Sequence, residues 1–251
     1  KGIDIAEAKA TPGVLAIYTN ADLEAAGFGP LRCRMNIPDR NGQPMKTPPR
    51  PSLAKGRVRF VGEAVACVVA ETAVQAKDAA EAVVLDIEEL PAVTSPAEAL
   101  KPGAPQIHEE APGNLVLDFH YGDAEAVKKA FAEAAHVTRL EIASNRIVVN
   151  AMEPRSAVGS YDSLSGRWTL HVGCQGVMGL RGGLARDVLN VTPDKVRVLT
   201  GNVGGSFGMK SQVYPEYAPL LLGGKLLGRS VKWTDERSES FLSDHAGRDH
   251  Q

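Results

Sequence analysis

Near its middle the chain is cut by a stretch that neither a helix nor a central strand can absorb. Residues 89–114, ELPAVTSPAEALKPGAPQIHEEAPGN, hold five prolines and two glycines. Each proline lacks a backbone N–H and fixes φ, so a run this dense resists helix and sheet interior alike and marks a connection between separately folded parts. At 251 residues the chain can enclose a core on either side of the break. The reading is two domains, 1–105 and 106–251.

Hydrophobic periodicity fills in each part. The first 55 residues read as irregular, with a long proline-rich loop at 37–52. RVRFVGEAVACVVA at 57–70 has the content of buried strands, TAVQAKDAAEA carries alanines at helical spacing behind Thr72 as N-cap, and Val83, Leu85 and Ile87 alternate with polar residues. That is a β-α-β passage. Beyond the break a helix is expected over 123–135, capped by Asp123, then a strand in 136–149 and a hairpin in 156–173 turning at SLSG. Val177, Leu180, Leu184 and Val188 fall on one helical face, KVRVLT is a strand, and a helix follows Pro215, weakened by Gly223 and Gly224. The fold class is α+β.

Composition excludes several functions. A formal net charge of -2 gives no electrostatic case for nucleic acid or an anionic membrane surface. The longest apolar run, AVACVVA, cannot span a bilayer, and KGIDIAEAKA does not read as a signal peptide, so a cytoplasmic protein is expected. Cys33, Cys67 and Cys174 are too scattered for a disulfide framework or a zinc or iron-sulfur cage, and Cys67 reads as a small core residue. His245 and His250 lack the spacing of a metal pair, so no metal site is expected from the chain itself.

The stretch GNVGGSFGMK at 201–210 comes directly after a strand. A glycine-rich exit from a strand is either a bare turn or a place where free backbone N–H groups face an anion. The loop has the aromatic-between-glycines look of a kinase phosphate loop, but VAIK, HRD with its asparagine, and DFG are all missing from the sequence. That reading fails.

Other motifs accompany it in order: FVGEAVACVVAETAVQAKDAAEAVVLDIEELPAV at 60–93, NAMEPRSAVGSYD at 150–162, CQG at 174–176, VGGSFGMK at 203–210, then GRSVKWTDERSESF and the final GRDH. Together they resemble the large, molybdenum-binding subunit of the xanthine dehydrogenase, aldehyde oxidase and carbon monoxide dehydrogenase family, nearest to the bacterial carbon monoxide dehydrogenase-like chains. The resemblance implies an α/β hammerhead domain over 1–105 and the first part of a molybdopterin-binding domain over 106–251. It implies a fragment, since family subunits run on well past this length.

The resemblance also implies roles for single residues. Gly204, Gly205, Phe207 and Gly208, with Ser206 in place of the commoner glycine, match the loop whose backbone approaches the cofactor, a molybdopterin expected in its cytosine dinucleotide form. Gln175 matches the glutamine that donates a hydrogen bond at the molybdenum centre; the alternative is a polar residue opening a helix. Lys210 is either a site residue or a solvated loop cation, and Ser211 stands where purine-oxidising members carry glutamate, which argues against xanthine. By the same resemblance the family's general base lies outside residues 1–251, and electrons leave through an iron-sulfur subunit and a flavin subunit. The function it implies is that of a molybdenum-dependent oxidoreductase acting on carbon monoxide, an aldehyde or an aromatic heterocycle. Alone, this chain is expected to bind no cofactor, to be inactive, and to self-associate as a homo-oligomer through uncovered apolar surface. The competing reading is a non-catalytic binding or assembly module. Glu153 with Arg155 reads as a structural ion pair, and Asp235, Glu236, Arg237 and Glu239 as a solvated helix face.

Overall fold

The structure, a computed structural model, describes residues 1–33, 35–245 and 247. His250 and most of the GRDH ending lie outside them. In chain order the elements are β1 (Gly2–Asp4), α1 (Ala6–Ala10), β2 (Val14–Tyr18), α2 (Asn20–Ala25), β3 (Cys67–Ala70), α3 (Ala73–Glu81), β4 (Val84–Asp86) and α4 (Pro96–Ala99). They continue with α5 (Ala124–Glu133), β5 (Ser156–Asp162), β6 (Arg167–Val172), α6 (Val177–Gly183), β7 (Val196–Leu199), α7 (Tyr217–Leu226), β8 (Val231–Thr234) and α8 (Arg237–Ser243). Helix and sheet are mixed, as an α+β class requires.

Two compact units share these elements. The first comprises Lys1–Arg32, Pro49–Leu90 and Val148–Ala246. In it β1 pairs antiparallel with β4, Ile3 opposite Leu85, and β2 with β3, Tyr18 opposite Cys67. Helix α3 is held by a reciprocal cap: Thr72 Oγ1 accepts from the Gln75 N–H at 3.2 Å, and Gln75 Oε1 accepts from the Thr72 N–H at 3.1 Å. Its buried Ala79 faces α1, where Ala8 is equally buried.

The larger sheet runs β7-β6-β5-β8, with β6 and β7 parallel and the other pairs antiparallel. Alternation along its strands buries Ala157, Trp168, Leu170, Val172, Val196 and Val198. Against β5 lies α7, with Leu220, Leu221 and Leu222 buried. Gly223 and Gly224 each disfavour a helix by about 1 kcal/mol relative to alanine, yet the helix passes through both. At Gly223 a Cβ would press on the Val231 and Tyr18 side chains at 3.2 and 3.3 Å, and at Gly224 contact with β5 is the reason. A Cβ at Gly159 would sit 2.8 Å from the Leu220 carbonyl, and one at Gly224 would sit 3.0 Å from the Gly159 oxygen. Backbone lies on backbone, and only glycine fits.

The second unit comprises Cys33–Pro48, Pro91–Ile147 and Gly247–Gln251. Asp123 caps α5, accepting from the Ala126 N–H at 2.9 Å as expected. Asn114 ties this unit's loops, donating to the carbonyls of Ala99 and Pro105 at 2.9 Å each and accepting from the Ile107 N–H at 3.0 Å.

Three expectations are corrected. The first 55 residues are irregular only in their second half: β1, α1, β2 and α2 lie within 2–25, while 26–55, including the 37–52 loop, hold no helix or strand among the described residues. Residues 57–66 turn and bend, so the buried strand begins only at Cys67. Residues 136–149 form no strand among the described residues, and Leu140 and Ile142 stay exposed. Apolar alternation becomes a strand only when a neighbour completes its ladder, and none of the described strands pairs there.

Candidate functional site

Sheet topology brings the predicted residues to one place. Because β6 and β7 are parallel neighbours, the loops leaving their C-terminal ends emerge side by side, the usual location of ligand sites in α/β units. The first loop carries Gln175 and the second carries residues 200–208. Strand β5 is antiparallel to β6, with Ala157 opposite Val172, so the segment entering β5 reaches the same end with Glu153 and Arg155.

Glu153 clasps the glycine loop. Its N–H donates to the Gly204 carbonyl at 3.1 Å, and its Oε2 accepts from the Gly204 N–H at 2.5 Å. Lys210 Nζ reaches the same Oε2 at 3.0 Å and the Glu153 carbonyl at 2.9 Å. Lys210 is only 2% exposed. It is therefore a buried strut, and the solvated-cation reading is corrected. Burial works against ionisation of Glu153, but the Gly204 N–H and the Lys210 ammonium outweigh it and hold the carboxyl below the ordinary glutamate range.

A pH dependence results, with its sign fixed by the direction of that shift. A carboxyl lowered on folding stabilises the clasp above its unfolded pKa and releases it as pH falls through the folded one. We expect the Gly204 amide resonance to titrate with a midpoint below 4.5, the ordinary glutamate value, and Glu153→Gln to abolish that titration. A midpoint at or above the ordinary value would contradict the clasp.

Gln175 is held by a ring of hydrogen bonds. Its N–H donates to the Lys210 carbonyl at 3.0 Å, the Lys210 N–H donates to Ser206 Oγ at 3.0 Å, and Ser206 Oγ–H donates to Gln175 Oε1 at 2.6 Å. The Gly208 N–H donates to the same Oε1 at 3.0 Å. Both N–H groups of the Gln175 amide are left without a partner among the described residues, as are the backbone N–H groups of Gly205, Ser206 and Phe207.

The loop itself is conformationally unusual. Gly205 has φ +103° and Gly208 φ +94°, and Phe207 takes φ +50° with its ring 80% exposed. A bulky residue in the left-handed region stores strain, and such strain concentrates at functional sites. A Cβ at Gly204 would lie 2.6 Å from Glu153 Cβ, whereas one at Gly208 would meet nothing within 4 Å. The loop is thus sealed on its inner side and open on its outer one. Uncovered N–H donors, a bare glycine backbone and two amide donors fit a group rich in acceptor oxygens, which a phosphate-bearing pterin cofactor is.

A second cluster was half legible. Arg155 does not pair with Glu153; it lies buried among three carboxylates, 2.6 Å from Asp244, 3.1 Å from Asp235 and 2.9 Å from Glu216, with its guanidinium 4.0 Å from the Tyr214 ring centroid. Asp235 is 5% exposed, which corrects its assignment to a solvated face. In the same run Arg237 donates to the carbonyls of Ala151 and Met152, and Glu236 pairs with Lys77. The adjacency of glutamate and arginine in MEPR was the signal; the partners, some 60–90 positions on, gave none.

Comparison with known proteins accords with this geometry. The family model described as the molybdopterin cofactor-binding domain matches residues 107–251, and that of the aldehyde oxidase and xanthine dehydrogenase a/b hammerhead domain matches residues 1–91. The chain belongs to the molybdopterin cofactor-binding family of aldehyde oxidases and xanthine dehydrogenases. The nicotine 6-hydroxylase large subunit of Paenarthrobacter nicotinovorans is 32% identical over 96% of this chain and 29% of that subunit. The carbon monoxide dehydrogenase large chain of Hydrogenophaga pseudoflava is 31% identical over 97% of this chain and 30% of its own length. Among solved structures, quinoline 2-oxidoreductase from Pseudomonas putida 86 superimposes with a TM-score of 0.87 at 31% identity, covering 99% of this chain and 30% of that one. The chain thus spans about 30% of the length of the relatives it matches. No helix among the described residues is long and apolar enough to cross a membrane.

Proposed function

We propose that this chain forms part of the large subunit of a molybdenum hydroxylase, an oxidoreductase acting on carbon monoxide, an aldehyde or an aromatic heterocycle. One observation carries the reading: the uncovered glycine loop and the Gln175 amide meet at the C-terminal ends of β6 and β7. Gly204, Gly205, Ser206, Phe207 and Gly208 would hold the molybdenum cofactor by close backbone approach, and Gln175 would offer it an uncharged N–H donor. The cofactor is read as the cytosine dinucleotide form. When bound, it supplies two-electron redox chemistry that no side chain here can provide.

The remaining assignments belong to the same reading. The domains divide at 105/106, within the proline-rich break. The partners are an iron-sulfur subunit and a flavin subunit, and the location is cytoplasmic. The 251 residues by themselves bind no cofactor and turn nothing over, because one wall of a site leaves the cofactor open to water.

Gln175→Ala in a full-length subunit tests the assignment. Molybdenum content is expected to stay at the wild-type level while kcat falls about 10²–10³-fold, the loss typical of a donor acting at developing charge. Unchanged turnover would return Gln175 to a helix-end polar residue.

A further inference from the structure

The ring around Gln175 has a polarity that chemistry forces, and Ser206 lies at its turning point. A backbone N–H can only donate, so the atom that Gly208 N–H faces at 3.0 Å must be the oxygen of the Gln175 amide and not its nitrogen. Lys210 N–H is likewise only a donor, so Ser206 Oγ accepts there at 3.0 Å and has its single proton left for one other bond. That proton goes to Gln175 Oε1, at 2.6 Å the shortest contact in the ring. Rotating the amide by half a turn would set its NH2 against the Gly208 N–H and strip the Ser206 proton of its acceptor.

We propose that Ser206 is a positioning residue that locks the Gln175 amide with its oxygen inward and its two N–H groups outward, so that this wall of the site accepts only an oxygen or other acceptor ligand. The inference rests on the cofactor reading for what the outward donors face, but the lock itself needs no ligand. The loop backbone recognises bulk and shape, whereas the serine hydroxyl decides which end of one amide meets the ligand. With alanine at 206 the single Gly208 contact must hold an otherwise exposed glutamine side chain, and the amide becomes free to turn and swing.

The 251-residue chain, ¹⁵N-labelled, tests the lock directly. The Gln175 side-chain amide, assigned by its disappearance in Gln175→Ala, is expected to show an order parameter near the rigid-backbone value of about 0.85, falling below about 0.6 in Ser206→Ala. Ser206→Thr keeps the hydroxyl and should keep the amide ordered. The wild-type measurement decides alone if the alanine variant does not fold: a Gln175 amide as mobile as those of the exposed Gln43 and Gln212 overturns the proposal, as does an unchanged amide in Ser206→Ala.

A second arm uses the full-length subunit. There Ser206→Ala should retain molybdenum with KM unchanged and kcat lower by on the order of tenfold, the factor expected when the competent orientation is populated only a tenth of the time. Ser206→Thr should restore the rate, and a wild-type rate in Ser206→Ala would count against the lock. A wild-type subunit that holds no molybdenum would remove the cofactor reading and leave the lock to be decided by the amide measurement.

Discussion

Arg155→Ala should destabilise the first compact unit by about 3–5 kcal/mol, the cost typical of removing one partner from a buried ion cluster. The guanidinium is 1% exposed and faces carboxylates of Asp235 and Asp244 that are almost equally buried, with Glu216 beside them. Truncation leaves three carboxylates together without the guanidinium that pairs them, with Arg50 still acting electrostatically on Glu216. Burial already lifts the Asp235 carboxyl above its ordinary value against the pull of Arg155, and without the arginine that lift grows. A carboxyl raised on folding favours the folded state where it is protonated, so the penalty should be largest near neutral pH and shrink as pH falls through the raised value. Urea unfolding of wild type and variant across pH measures this directly. Equal midpoints at neutral pH, or a penalty that grows in acid, would show that the cluster does not bear on stability. Arg155→Lys should recover only part of the loss, because one ammonium cannot face three carboxylates in the way a planar fork does.

Gly205→Val should remove the cofactor from a full-length subunit while leaving the sheet intact. Gly205 holds φ +103°, where a β-branched residue is a true outlier, and a Cβ there would sit 3.0 Å from the Phe207 ring and 3.4 Å from Ala151 Cβ. The loop must rearrange, at a local cost of about 1–3 kcal/mol. The strain reaches the core only at its edge, through Ala151, and none of the three nearest atoms belongs to Leu170, Leu184 or Leu221. Molybdenum per subunit is expected below about a tenth of wild type, since a shifted backbone no longer offers the close approach that glycine permits. Wild-type molybdenum in the variant would refute the loop's role.

Local chemistry was the legible part of the fold. The hairpin at 156–173 alternates cleanly and forms as read, and Thr72 and Asp123 cap their helices. Elements whose partners lie far along the chain were not legible. β2 has only five residues, and its ladder is completed by β3 some 50 positions away. Its neighbours α1 and α2 have five and six residues, too short for a periodic face to show. Helix α7 could be suspected but not trusted, because the glycines that weaken its propensity are demanded by packing: Gly224 by β5, and Gly223 by the Val231 and Tyr18 side chains. At the site, glycine spacing and CQG singled out two loops that leave neighbouring parallel strands. The burial of Lys210 and the hydrogen-bond ring were invisible, since each depends on two loops meeting through a parallel strand pair that no local pattern encodes.

That strand pair also sets a scale. Hydrogen-bonded strands stand about 4.8 Å apart whatever side chains they carry, and the Gln175 and glycine loops are rooted on two such neighbours. The backbone lattice therefore acts as a ruler at the base of the site. Changes of sequence can lengthen, cap or retune either loop, but the gap between their roots is as invariant as the peptide bond.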